Sequence, residues 1–423
     1  MINKIKNITN TEDKKRLLSN FVSLSILQAF AYILPLITLP YLVRVLGVEK
    51  FGLVMFAQSF IMFFNILVDY GFNLSATREV SIHRDDKEKL TEIFSSVMSI
   101  KFILIGVSLI ILSIVVSSFE KFSSHWELYY LTFLIVIGQA LFPIWYFQGL
   151  EKMKYITIVN ITSKIIFTIA IFIFIHNEND YLLVPIFNGL GFIIGGLYAL
   201  WIIYKHFNQK FVLQNISTMI KYFKDSSQFF LSRVSVSIYT SANTFVLGLF
   251  TNNTMVGYYS IAEKLYIAMH QFYQPLVQAL YPYIAKKRNI KRFKKIYLSA
   301  VVFNLLFLSV AYFLSPWLVL LIAGSEIMQS IIAFKLFLVV LLIVIPSILI
   351  GYPFLAALGY QKYANYSVIF GSLVHLILLL LLILLKKVQI NYIIYSIFIT
   401  ELVVFSIRWY AVIKYKLWRN ENA

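Results

Sequence analysis

The sequence predicts an all-α integral membrane protein in which twelve transmembrane helices form two six-helix lobes, related by a pseudo-two-fold axis along the membrane normal. Three observations carry this expectation. Of 423 residues, 60% are hydrophobic and 13% charged, about half the charge of a soluble chain, and the mean hydropathy is +0.79. The apolar residues recur in runs of about twenty, enough to cross ~30 Å of hydrocarbon as a helix. The runs fall as six, a longer polar connection, and six more, the pattern of a duplicated bundle. The same composition excludes a disordered chain, a fibrous repeat and a soluble dinucleotide-binding or barrel enzyme.

The first sixteen residues are polar and basic, and the apolar run after them is too long and too proline-marked for a cleavable signal. The spans of an N-terminal lobe (residues 1–204) run from Leu18 to Val43, Gly52 to Ala76, Phe94 to Val116, Leu128 to Phe147, Tyr155 to Ile175 and Tyr181 to Tyr204. Residues 205–228 form a polar connection. A C-terminal lobe (229–423) then has spans from Phe229 to Phe250, Met255 to Ile284, Ile296 to Ile322, Ser330 to Leu358, Tyr363 to Leu385 and Tyr392 to Ile413. Pro35 and Pro40, Pro275 and Pro282, and Pro346 and Pro353 interrupt the first, eighth and tenth spans, each removing a helical hydrogen bond.

Basic loops resist translocation, so the distribution of Lys and Arg sets the orientation. With both termini in the cytoplasm, 26 of the 37 fall on the inner side against five outside, Lys386 and Lys387 being the discordant pair. The densest run, Lys286 to Lys295, reads as topology and generic anionic-lipid contact rather than as a nucleic-acid patch or a specific lipid-headgroup site. The bilayer is therefore the expected partner of the positive charge, and nucleic acid is not.

Internal similarity supports the duplication. Gly52, Ala57 and Gln58 in the second span are matched, 205 positions later, by Gly257, Ala262 and Glu263 in the eighth, and under the same shift Gln28 corresponds to Arg233. Other motifs are missing or misleading. No phosphate-binding loop is present, so energy must come from an ion gradient, the membrane potential or the substrate gradient. Gly189, Gly191, Gly195 and Gly196 lack the third glycine of a dinucleotide loop, and read as close helix packing. There is no cysteine, and the six histidines have no ligand spacing, so no metal or other cofactor is expected.

Nine ionisable residues fall within spans: Asp69, Lys101, Lys164, Arg233, Glu263, Lys264, Lys335, Glu401 and Arg408. A charge at mid-bilayer costs about 2.5–3.5 kcal/mol, so each needs a protein interior or a wet cavity. Lys101, Lys335 and Arg408 lie near span ends and are expected to snorkel. Glu263, Lys264 and Lys164 lie deeper. Six cations against three acids favour an anionic substrate, and pairing of Glu263 with Arg233 is the structural alternative.

The run Leu17-Leu18-Ser19-Asn20, the stretch Leu34-Pro35-Leu36-Ile37-Thr38-Leu39-Pro40-Tyr41-Leu42-Val43-Arg44-Val45-Leu46-Gly47, then Phe51-Gly52 and Phe56-Ala57-Gln58, resemble the bacterial polysaccharide flippases called Wzx. Asp69-Tyr70-Gly71-Phe72-Asn73-Leu74-Ser75-Ala76-Thr77-Arg78 and Trp145-Tyr146-Phe147-Gln148-Gly149-Leu150-Glu151 extend the match, which is strong over the first 155 residues and thin afterwards. The resemblance implies a MATE-like exporter, of the MOP superfamily, in the bacterial inner membrane. Its cargo would be an undecaprenyl-diphosphate-linked oligosaccharide, flipped from the cytoplasmic to the periplasmic leaflet, with a polysaccharide polymerase and a chain-length regulator as partners.

On that basis the lobes rock in alternating access around a cationic central cavity. Arg233, Lys264 and Lys164, with Gln28, are the candidate substrate-binding residues. Asp69 and Glu263 are candidate coupling or ion-pair switches. A small-molecule or drug antiporter of the same superfamily would instead need an acid-lined cavity. A membrane polymerase or ligase would need a large external loop, and no outer loop here exceeds about a dozen residues.

Overall fold

The computed structural model describes the backbone of residues 12–325 and 327–418, and their side chains except at 12–27, 29, 31, 32, 231–233 and 235–241. Every regular element among the described residues is helical, and nine of the helices are long and apolar enough to cross a membrane.

The first predicted span and most of the second lie in α1 (Glu12–Asp69), two helical segments that meet without a loop at a kink at Gly47, whose backbone is non-helical with φ 70° and ψ 164°. Only glycine adopts that backbone without strain, so the polar break seen in the sequence is a kink rather than a loop. Gly71 (φ 76°) then starts α2 (Phe72–Ile82). α3 (Lys87–Ser118) begins where the Asp86 carboxylate accepts the Lys89 backbone N–H at 3.0 Å, satisfying a donor that helix geometry leaves unpaired. After the single turn α4 (Glu120–Ser123), the fourth predicted span breaks at Pro143 into α5 (Trp126–Ala140) and α6 (Ile144–Gly149). α7 (Met153–Phe174), a 3-10 turn capped by Asn177, and α8 (Leu183–His206) follow.

α9 (Ile216–Phe250) carries the second part of the polar connection and the seventh predicted span in one helix. The eighth span divides into α10 (Asn253–Gln271) and α11 (Gln274–Lys287), Pro275 occupying the first turn of α11, where no N–H is missed. The ninth predicted span, Ile296 to Ile322, is corrected in the same way: α12 (Ile290–Phe313) is capped by Leu314, and Pro316 lies in the first turn of α13 (Ser315–Ala323). α14 (Met328–Ile350) runs into a π-turn, Gly351–Ala356, containing Pro353, and α15 (Gln361–Leu384) and α16 (Ile390–Lys414) complete the chain.

The chain forms two compact units: residues 1–46 with 57–234, and residues 47–56 with 235–423. Because lipid tails are as apolar as Leu, packing inside each depends on close backbone approach rather than on hydrophobic burial alone. In the first unit, a Cβ at Gly189 would strike Leu134 of α5, one at Gly196 would strike Leu141 at the end of α5, and one at Gly191 or Gly195 would strike Ser163 of α7. The glycine run thus lets α8 sit against two helices at once. The polar connection is fastened to this unit. Tyr70 stacks on Phe223 and Phe230 with ring centroids 4.2 and 4.6 Å apart, the Ser75 and Ser226 hydroxyls lie 2.6 Å apart, and Tyr222 donates to Glu92 at 2.9 Å.

In the second unit the two glycines matched by the internal similarity meet each other. A Cβ on Gly52 would run into the Asn253 carbonyl and the Gly257 nitrogen, and one on Gly257 into the Val48 carbonyl. The rest of the unit packs α14 and α15 against α16, and α10 against α14.

Candidate functional site

α16 places Glu401 and Arg408 seven residues apart, two turns along one face. Both line a cavity of about 420 Å³ in the second unit, together with Glu263, Tyr266 and His270 of α10 and Asn243 of α9. Arg408 is only 6% exposed. Its Nη1 donates to the Ser347 carbonyl and hydroxyl, each at 2.9 Å, and its Nε donates to the Ser367 hydroxyl at 3.0 Å. A Cβ at Gly351 would lie 3.1 Å from Arg408 Cζ, so a larger residue opening the π-turn would have to displace the guanidinium by a few tenths of an ångström. Asn243 is held from behind by His375 (2.9 Å), which also contacts Thr400 (3.1 Å), and Glu263 accepts from the Thr244 hydroxyl at 3.4 Å.

A second cavity, of about 130 Å³, lies in the first unit. Lys164 and Ser163 of α7, Thr38 of α1 and Asn188 of α8 line it beside Pro35. Leu34, Phe167 and Phe192 line it as well, and the Ser163 hydroxyl donates to the Val159 carbonyl at 2.8 Å, so Lys164 is the charged group of a largely apolar lining and can attract an anion there. Thr38 donates to the Leu34 carbonyl at 3.1 Å, which supplies a partner for the hydroxyl near the Pro35 break in the helix ladder.

The predicted site residues therefore separate. Glu263 and Lys164 line different cavities in different units, and Lys264, half-buried next to Glu263, is not among the residues lining the 420 Å³ space. Gln28 is half-buried on α1. The side chain of Arg233 lies outside the described residues, and with it the pairing considered for Glu263. Asp69 is ion-paired to Lys101 at 3.7 Å.

Two of the three snorkelling assignments are corrected. Lys101 is 3% exposed and turned inward to Asp69, and Arg408 is held inside its unit by Ser347 and Ser367. Distance from a span end does not tell which way a side chain points around the helix. The third, Lys335, is half-buried with its ammonium 4.8 Å from the centre of the Tyr312 ring.

Glu401, Arg408, Asn243 and His375 were not singled out from sequence as a site. The available signal was a Glu and an Arg two turns apart in an otherwise apolar helix, since a lipid-facing charge is expensive. Chemically the cavity offers two carboxylates against one guanidinium, with amide and hydroxyl oxygens nearby. Such a set can take up and release a proton or a small hard cation. Among the described residues no three acidic or histidine side chains converge as a metal cluster.

Comparison with known proteins fits this architecture. Residues 17–288 match the family described as polysaccharide biosynthesis protein. A "Putative O-antigen transporter" of Escherichia coli (strain K12) is 31% identical over 286 residues, covering 68% of this chain and 69% of that protein. One of the same description from Shigella dysenteriae is 27% identical over 85% of this chain and 91% of that protein. Among solved structures, the lipid II flippase MurJ in an inward closed conformation superposes with a TM-score of 0.69 at 17% identity, over 94% of this chain and 90% of that one. An inward-facing multidrug resistance MATE transporter of the MOP superfamily gives 0.62 at 12% identity, over 93% and 100%. The match over residues 17–288, with the fold shared by these transporters, makes the chain a member of the polysaccharide biosynthesis protein family.

Proposed function

We propose that this protein flips undecaprenyl-diphosphate-linked oligosaccharide repeat units from the cytoplasmic to the periplasmic leaflet of the bacterial inner membrane. Twelve helices in two lobes, with both termini cytoplasmic, would work by alternating access. The observation that carries this is the family membership of a chain whose helices bury ionisable side chains in internal cavities. Charges kept at membrane depth at a cost of several kcal/mol belong to a transport path or its coupling. Dragging each sugar hydroxyl through hydrocarbon without a hydrogen bond costs about 2–7 kcal/mol, so a repeat unit needs a hydrated route while its lipid tail stays in the bilayer.

In this proposal Arg233, Lys264, Lys164 and Gln28 attract the diphosphate and its sugars. Glu263, and with it Glu401, takes up the coupling ion; Asp69 with Lys101 acts as an ion-pair switch. One elementary charge moved through the membrane potential supplies about 2.3 kcal/mol per 100 mV, so one or two coupled charges suffice to bias a rocking equilibrium of a few kcal/mol.

The test is complementation of a flippase-deficient strain. The wild-type chain restores surface polysaccharide, and the Arg233→Gln/Lys264→Gln double variant, present in the membrane at the same level, does not. Normal surface polysaccharide in that variant would overturn the diphosphate assignment. A second reading, a cation-coupled drug antiporter, is favoured by the two carboxylates of the 420 Å³ cavity. It predicts drug efflux in the same strain without any restoration of polysaccharide.

A further inference from the structure

Two residues of the basic run, Arg292 and Lys295, line a groove that shares no residue with either cavity described above. Between α12 and the break that leads from α10 into α11 lies a space of about 590 Å³, opening outward, with Arg292 and Lys295 at one end and Phe272, Tyr273, Leu276 and Phe303 along its walls. Arg292, Lys295, Ser299 and Phe303 recur at spacings of three and four on α12 and so share one helix face. From Arg292 to Phe303 the groove covers about 16 Å of helix rise, roughly half the thickness of a hydrocarbon core. A cationic end thus gives way, within one leaflet, to an aromatic trough.

Both ends are held in place. The Arg292 guanidinium lies 5.5 Å from the centre of the Tyr283 ring on α11, and exposed Phe272 stacks on Phe303 and Phe307 at 6.1 and 5.6 Å. The floor is closed: buried Tyr273 donates to the Asn304 side-chain oxygen at 2.9 Å, and the Asn304 amide donates to the Leu341 carbonyl at 3.4 Å. The groove shares no lining residue with the 420 Å³ cavity.

We infer that this groove is a binding site for an anionic phospholipid, its phosphodiester held by Arg292 and Lys295 and an acyl chain lying along Phe272, Ser299 and Phe303. Charge complementarity selects the headgroup, and the aromatic wall continuing away from the cations selects a lipid over a free phosphate. Such a lipid would brace the break between α10 and α11 against α12.

The test uses delipidated full-length protein and native mass spectrometry, comparing phosphatidylglycerol with phosphatidylcholine of the same acyl chains. Wild-type protein is expected to retain one phosphatidylglycerol in preference to phosphatidylcholine. Arg292→Gln/Lys295→Gln should weaken that retention about tenfold or more, since each basic residue at an anionic surface contributes measurably. Ser299→Trp, which fills the trough and leaves both cations, should do the same. Lys286→Gln/Lys287→Gln, in the same basic run but away from the groove, should leave it within about twofold of wild type. Equal retention of the two lipids, or an equal loss in the Lys286/Lys287 variant, would overturn the site. Displacement of phosphatidylglycerol from the wild type by an equal concentration of a polyprenyl diphosphate, but not from Ser299→Trp, would assign the groove to cargo instead.

Discussion

Replacing Arg408 by Met removes three charge-assisted hydrogen bonds from the interior of the second unit: two to Ser347 and one to Ser367. Neutral interhelical hydrogen bonds in membrane proteins contribute only about 0.6 kcal/mol each, but bonds to a charged group contribute about 1.5–3 kcal/mol. The substitution also takes the second donor from the Ser347 carbonyl, which keeps the Gly351 backbone N–H, and leaves Glu401 without the guanidinium in the cavity. Met recovers part of the loss through packing, so a net destabilisation of about 3 kcal/mol is expected, at the lower end for breaking a buried charge network. For a unit of about 200 residues this lowers the unfolding midpoint by about 6–12 °C. The assay is thermal unfolding of detergent-solubilised protein followed by intrinsic Trp fluorescence, which suits a chain with six Trp and no Cys. Arg408→Lys keeps the charge but loses the planar fork that reaches both serines, and should fall in between. An unfolding midpoint for Arg408→Met within 2 °C of wild type, a threshold of about 1 kcal/mol, would refute the view that the guanidinium ties α14, α15 and α16 together.

Glu263→Gln and Glu401→Gln, singly, should cut polysaccharide export in the complementation strain about tenfold or more while changing the unfolding midpoint little, because amide and carboxyl are nearly isosteric; unchanged export in both would remove them from coupling. Lys101→Met strands the Asp69 carboxylate and should cost about 1–3 kcal/mol, with Lys101→Met/Asp69→Asn recovering most of it. A double variant no more stable than the single would show that the pair is not energetically coupled. Gly257→Ala drives a Cβ into the Val48 carbonyl, where backbone cannot yield as a flexible side chain can, so folded yield in membranes should drop severalfold, consistent with overpacking costs of about 1–3 kcal/mol or more. Wild-type yield would mean the two segments can move apart.

Family and helical class were legible because composition and run length answer directly to the solvent: a bilayer tolerates helices with internally satisfied backbones, and spans of about twenty residues follow. The internal similarity around Gly52 and Gly257 was visible as spacing alone. That the two glycines touch was not, since contact between residues 205 positions apart depends on how distant helices dock. The helix break at Pro275 was partly readable from proline, whereas those at Pro143 and Pro316 were not read, since a proline within a span bends or stops a helix according to its neighbours.

The cavities were the hidden part. Lys101 and Arg408 were placed by depth, but the side facing protein is set by rotation about the helix axis, and the weak amphipathic patterning of spans apolar all round does not reveal it. The sequence by itself determined that the chain lies in a membrane, is helical and concentrates positive charge in certain segments, because each is a local property of solvent preference. Only the tertiary structure decided that Glu263, Glu401 and Arg408 share one space, that Lys164 lies in another, and that Arg292 and Lys295 head an aromatic trough. Such convergence depends on which helix faces meet, and no single span encodes its neighbour.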